Sequence, residues 1–163
     1  MPLTPAQMDE LMDRHFAFEM ADDVDGVLAT LAHDAEHDIV GAANGPTIGL
    51  TKTRPTYEQV FTDLAGDRVE TLHRYYGNNT LTDESLWIGR AVGHPLGIPG
   101  RNRSLKFRIL HVIEFDETGL ITRENVWLDH PGIAAQLADD PPDAQTNEQT
   151  TNAATATPRT RTR

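Results

Sequence analysis

The stretch Leu105–Asp129, LKFRILHVIEFDETGLITRENVWLD, decides how the rest of the chain is read. Its two halves are rich in β-branched and aromatic residues. They are parted by Asp116-Glu117-Thr118-Gly119, a turn composition, so the stretch reads as two antiparallel strands, Ser104–Phe115 and Leu120–Asp129. In the first strand the row 111, 113, 115 is His, Ile, Phe. Alternate residues of a strand share a face, so His111 turns toward the core with its apolar neighbours.

Upstream, Arg68–Tyr76 and Thr80–Val92 have the same composition, and the breaks hold Gly77-Asn78-Asn79 and the Gly93–Arg103 loop. Together the four segments form a meander. Before Gly66 the period is helical. Thr4, Pro5 and Gln7 match an N-cap, a first-turn proline and a capping-box partner, which starts a helix at Thr4 that ends near Ala21. Its inward stripe is Met8, Leu11, Met12, His15, Phe16 and Glu19, so His15 faces inward, to a private core partner or to an internal pocket. Asp22 or Asp23 caps a second helix to about Ala32, with Val24, Val27, Leu28 and Leu31 inward. Ala35–Val40 reads as a short strand before the glycine-rich Gly41–Gly49 loop. Thr53 and Pro55 begin a third helix with Tyr57, Val60, Phe61 and Leu64 on one face, stopped by Gly66, and Pro131 opens a short helix through Leu137.

Helices first and an antiparallel sheet afterwards predict an α+β fold. It is a cone-shaped α+β barrel, a strongly curved sheet with three N-terminal helices on its concave face, and a cone holds a ligand. The 163 residues suit one domain, spanning 1–138. From Asp139 to Arg163 no residue is more apolar than alanine, which predicts a disordered tail. The chain has no cysteine, which excludes disulfides, thiolate nucleophiles and Cys-ligated zinc. A formal charge of −11 argues against a nucleic-acid partner. No apolar run is long enough to span a bilayer and Met1–Glu10 lacks signal-peptide regions, so no membrane partner and a cytoplasmic location are expected.

Arg14-His15-Phe16-Ala17, the Ala21–Gly26 turn and Leu105–Asp129 resemble the nuclear transport factor 2-like superfamily, most closely its SnoaL-like polyketide cyclases and ketosteroid isomerases. The loop Gly93–Arg103 is similar to the Gly-Pro-rich, Arg-ending loop of the SnoaL-like branch, and the resemblance spans nearly all of Thr4–Ala138. It implies a cofactor-independent isomerase or aldol-type cyclase for a small hydrophobic carbonyl compound. The alternative is a binding module that keeps the cone and does no chemistry. By the same resemblance, the oxyanion-donor position in the first helix falls on His15. The general base at the end of the first strand falls on Asp38 when one residue is gapped out of the preceding turn. The second oxyanion donor falls on His111, and the acid on the following strand falls on Asn125 or Asp129.

Moving a proton beside a carbonyl needs a base near the carbon and donors where the oxyanion forms. Asp38 serves as the base in this reading, and neutral His15 and His111 each donate one hydrogen bond. Asp38 has a plainer use as a strand-end residue capping the loop, and a one-residue shift in register turns His37 inward instead. Tyr57, Phe61, Trp87 and Trp127 are candidates for the cavity wall or for ordinary core, and Asn125 is a candidate substrate contact. Tyr75 and Tyr76 put one ring on each sheet face. Arg101, Arg103, Lys106 and Arg108 gather positive charge on one loop and strand, suited to a solvated edge or an anionic substrate. His33 with His37, or His73 with His94, lack metal-ligand spacing, so no metal is assigned. The paired Arg-x-Asp spacing of the superfamily's epoxide hydrolases is missing from the late strands, where Arg108-Ile109-Leu110-His111 offers none, so water activation by that route is not expected. The resemblance also implies a homodimer through the outer sheet face.

Overall fold

Thr4 caps the first helix through a reciprocal pair: its hydroxyl accepts from Gln7 N, and the Gln7 side chain accepts from Thr4 N. In the computed structural model, which describes residues 1–138, this helix, α1, runs Pro5–Met20. The predicted tail at 139–163 lies outside the described residues. Met8, Met12, His15 and Phe16 are the buried face of α1, the stripe that the period predicts.

The second helix, α2 (Val24–Leu28), is capped by Asp23 and is shorter than its apolar pattern suggests. The chain leaves it at Thr30, whose carbonyl accepts from Ile121 N, and Leu31 pairs with Ile121. Sheet pairing therefore claims residues that helical periodicity also fits. The first strand, β1 (Leu31–Ile39), begins four positions earlier than Ala35. After the short β2 (Thr47–Ile48), α3 (Leu50–Asp63) starts a turn ahead of Thr53 and takes Pro55 into its body.

The remaining strands are β3 (Leu64–Tyr76), β4 (Thr80–Ala91), β5 (Arg103–Phe115) and β6 (Ile121–Leu128), followed by α4 (His130–Leu137). They form one curved six-stranded sheet in the order β2-β1-β6-β5-β4-β3. All neighbours are antiparallel except β1 and β6, which run parallel. This parallel pair brings the first strand beside the last one. It sets residues near position 37 against residues near position 124.

An apolar core of Met8, Met12, Val27, Leu31, Tyr57, Leu81, Ile113 and Ile121 joins α1–α3 to the sheet. A second cluster, with Leu105, Phe107, Ile133 and Leu137, seats α4. An ion network locks α1 onto the sheet. Arg74 Nε donates to fully buried Asp83 at 2.9 Å while its other nitrogens reach Asp9 at 2.9 Å and Asp13 at 2.7 Å. Ser85 donates to the second oxygen of Asp83, and Tyr76 donates to Asp9. These contacts fix the rotation of α1, and with it the place of His15. Among the described residues no helix is long and apolar enough to cross a membrane.

Candidate acid–base site

Strand register determines which polar groups enter the cone. Ile113 pairs with Glu124 and Glu124 with His37, while His111 pairs with Val126 and Val126 with Ile39. Directly opposed residues share a face, so both rows look toward the helices. An apolar cavity of about 110 Å³ lies under them. Its wall holds Trp87, Phe107, Ile109, Val126, Tyr57 and Phe61, with His111, His37, Glu19 and Asp22 as polar members. Trp87 stacks on Phe107 with centroids 5.0 Å apart. A wider hollow of about 820 Å³ shares His37, Ile39, Val60, Leu64 and Leu128 with the cavity and continues it outward past Lys52 and the Pro95–Gly97 turn.

His15 sits behind this wall, fully buried. Its Nδ1 lies 2.7 Å from Thr30 Oγ1, and the Thr30 hydroxyl donates to Val27 O at 2.6 Å. Its Nε2 lies 3.4 Å from both Glu19 Oε1 and Glu124 Oε1. Glu124 is itself buried, and its Oε2 accepts from the Tyr57 hydroxyl at 2.7 Å. Burial opposes charge on His15, yet the Glu124 and Glu19 carboxylates outweigh it and raise the ring to about 10. Burial pushes the Glu124 carboxyl up, and His15 more than reverses this, so Glu124 stays ionised. Tyr57 is pushed well up by burial and by the adjacent carboxylates and keeps its proton.

His111 is the contrasting case. Burial lowers it, only partly offset by Glu19, Glu124 and Asp83, so the ring is neutral. It is buried, packs 5.0 Å from the Phe16 ring, and its Nδ1 has no hydrogen-bond partner. His37 rests 4.9 Å from the Tyr57 ring.

The sequence candidates therefore divide. His111, Tyr57, Phe61 and Trp87 line the cavity. His15 is inside but backs the wall, with Nε2 turned to two carboxylates, so it does not present a donor to the cavity. Asp38 pairs with Asn125, and Asn125 with Val112, which puts Asp38 and Asn125 on the outer face. The inner position of β1 belongs to His37, whose ring packs against Tyr57, while the shorter, more polar Asp38 turns to the outer side. Asn125 accepts from Arg123 Nε on that outer side, and Trp127 is 40% exposed there. Asp129 caps α4 by accepting from Gly132 N.

Glu19, His37 and Glu124 complete the polar set. Glu19 was visible in the α1 stripe and His37 in the register alternative. Glu124 was hidden by a bulge: Glu114 pairs with Arg123 but Phe115 with Ile121, so one extra residue shifts the inward set from 123, 125, 127 to 124, 126, 128.

No family model matches the chain, and no curated protein matches it in sequence. Solved structures do match in shape. A candidate SnoaL-like polyketide cyclase from Jannaschia sp. CCS1 superposes with a TM-score of 0.73 at 13% identity, covering 86% of this chain and 99% of its own. An NTF2-like protein of Burkholderia pseudomallei K96243 gives 0.67 at 17% identity over 82% of this chain and 98% of that one. The chain has the NTF2-like fold. An LEH-like epoxide hydrolase of M. tuberculosis shares this NTF2-like cone with a TM-score of 0.62 at 16% identity, over 81% and 90% of the two chains. The architecture that the sequence resemblance implied is thus the one observed, in a fold that carries small-molecule enzymes.

Proposed function

We propose that the protein is an acid–base enzyme that moves a proton beside the carbonyl of a small hydrophobic compound, as an isomerase or an aldol-type cyclase does. The observation that carries this reading is His111: a buried, neutral imidazole with an unpartnered Nδ1, in the wall of a mainly apolar cavity. In this reading His111 replaces Asp38 as the base. It takes the proton from the carbon, and the imidazolium formed is held by the nearby Glu19 and Glu124 carboxylates. The same ring then returns the proton, to a different carbon in an isomerisation or to the new alkoxide in a cyclisation. His37, which also lines the cavity two strands across and one same-face step along from His111, donates to the enolate oxygen.

Proton exchange tests the reading without knowledge of the natural substrate. Small cyclic ketones incubated with the protein in D₂O are expected to gain deuterium beside the carbonyl, followed by NMR. His111→Gln should slow this by about 100-fold or more, and Asp38→Asn should leave it intact. Exchange that survives His111→Gln rejects the base assignment. Ketone binding with no exchange in the native protein makes the cone a binding module.

The outer face supports a homodimer, the second part of the reading: Trp127 and Tyr75 are exposed there, beside Leu110 and Val112. Light scattering should find a dimer, and Trp127→Glu a monomer.

A further inference from the structure

We propose that His15, Glu19 and Glu124 form a binding site for one divalent transition-metal cation of the zinc class. His15 and Glu19 stand one helical turn apart on the same face of α1, and Glu124 is brought to them by the β6 bulge. Their ligating atoms all lie within 4.8 Å of one another. Linear spacing shows only half of this arrangement, since the third ligand comes from the far end of the fold.

The distances favour a cation over a hydrogen bond. Nε2 is 3.4 Å from each carboxylate oxygen, longer than the roughly 2.7–2.9 Å of a charge-assisted hydrogen bond. With metal–ligand bonds of about 2.1 Å, the edge of a tetrahedron is about 3.4 Å. His15 Nε2 and Glu124 Oε1 are both buried without a hydrogen-bond partner, and they point at this shared spot.

The outer atoms of the ligands are already fixed. Thr30 gives its hydrogen to Val27 O, so its oxygen accepts from His15 Nδ1, which leaves the lone pair of the neutral ring on Nε2. Tyr57 holds the distal oxygen of Glu124. A histidine pinned through its other nitrogen and a carboxylate pinned through its other oxygen are the supports that orient metal ligands. Charge agrees as well: two carboxylates and a neutral imidazole together carry the two negative charges that balance a divalent cation. An imidazole ligand selects zinc, copper, iron or nickel over calcium and magnesium, which take oxygen shells. Glu19 borders the cavity, so a water or a ligand oxygen completes the shell from that side.

This inference does not rest on the acid–base reading. The test uses the full chain, stripped with a chelator and titrated with Co²⁺. One equivalent is expected to bind with the intense visible bands of a low-coordinate site, and Zn²⁺ should abolish them. Glu19→Gln is expected to weaken binding by about 100-fold or more, and Tyr57→Phe by about 10–100-fold, with circular dichroism confirming that each variant is folded. Absence of binding, or binding that both folded variants leave unchanged, overturns the proposal. Metal uptake is read without substrate, so its failure and the failure of ketone exchange are distinguishable.

Discussion

Thr30 determines what His15 presents to the core. Its hydroxyl hydrogen goes to Val27 O at 2.6 Å, so its oxygen receives Nδ1 of His15 at 2.7 Å, and Nε2 is the nitrogen left facing Glu19 and Glu124. A residue between α2 and β1 thus fixes which nitrogen of a ring on α1 faces the carboxylates. The consequence is a charged cluster behind the cavity wall and a neutral imidazole, His111, in the wall itself.

In the metal-free protein this arrangement sets the pH dependence of stability. His15 is raised from 6.5 to about 10 by carboxylates that outweigh its burial, so it holds its proton more tightly folded than unfolded. Its contribution is complete below 6.5 and is lost as pH rises through about 10. Burial lowers His111 from 6.5, so its neutral ring favours the folded state above that value and the benefit fades as pH falls. The Glu124 shift is the other end of the His15 ion pair and counts once; it fades below 4.5. Thermal melts should therefore peak near the ordinary imidazole value and decline into the alkaline range. His15→Gln should flatten that alkaline decline, and an unchanged slope would show that the ion pair is not responsible.

Tyr57→Phe isolates the bond to Glu124. The ring and its packing against His37 and Phe61 stay, while Glu124 Oε2 loses its donor in a buried setting. An unmet buried acceptor costs about 1–3 kcal/mol. Urea denaturation should show a loss of this size with an unchanged denaturant slope, and a neutral result would mean that Glu124 finds another donor.

These polar groups show where a sequence can be read and where it cannot. The capping box at Thr4, the α1 stripe and the meander carry their information in neighbouring residues, and the fold follows from them. His111 is legible for the same reason, with Ile113 and Phe115 marking its face. Glu124 is not, because alternation counted from Ile121 passes through a bulge that only strand pairing reveals. At His37 and Asp38 local alternation permits both parities. The choice is made outside the strand: the apolar setting and the Tyr57 ring on α3 accept an imidazole and disfavour a carboxylate.

Arg74 is expected to be the costliest polar residue to replace in the contact between α1 and the sheet. It is the guanidinium that compensates fully buried Asp83, and it joins that strand to Asp9 and Asp13 of α1. Arg74→Met leaves the Asp83 charge buried, for which about 3–5 kcal/mol is expected. Adding Asp83→Leu removes the stranded charge and should recover part of the loss. A double-mutant cycle measures this coupling, and additive effects would show that Arg74 acts mainly through its exposed partners.

Gly89 should tolerate no side chain, although it lies in the middle of a strand. A Cβ there meets Ala65 O, the far edge of the Trp87 ring and Gly66 Cα, and the first and last of these are backbone atoms held by the β3–β4 register. The collision cannot be relieved by a rotamer change alone. Trp87 has to swing away from Phe107, with which it is now stacked at an interplanar angle of 22°. Overpacking of this kind costs about 1–3 kcal/mol. Gly89→Ala is thus expected to lower the melting temperature and to shift the Trp87 emission, measured in a Trp127→Phe background so that one indole reports. Because Trp87 is part of the cavity wall, the same substitution should weaken binding of a small hydrophobic probe. Native emission together with native stability would mean that the sheet is not as closely packed over the cavity as this contact requires.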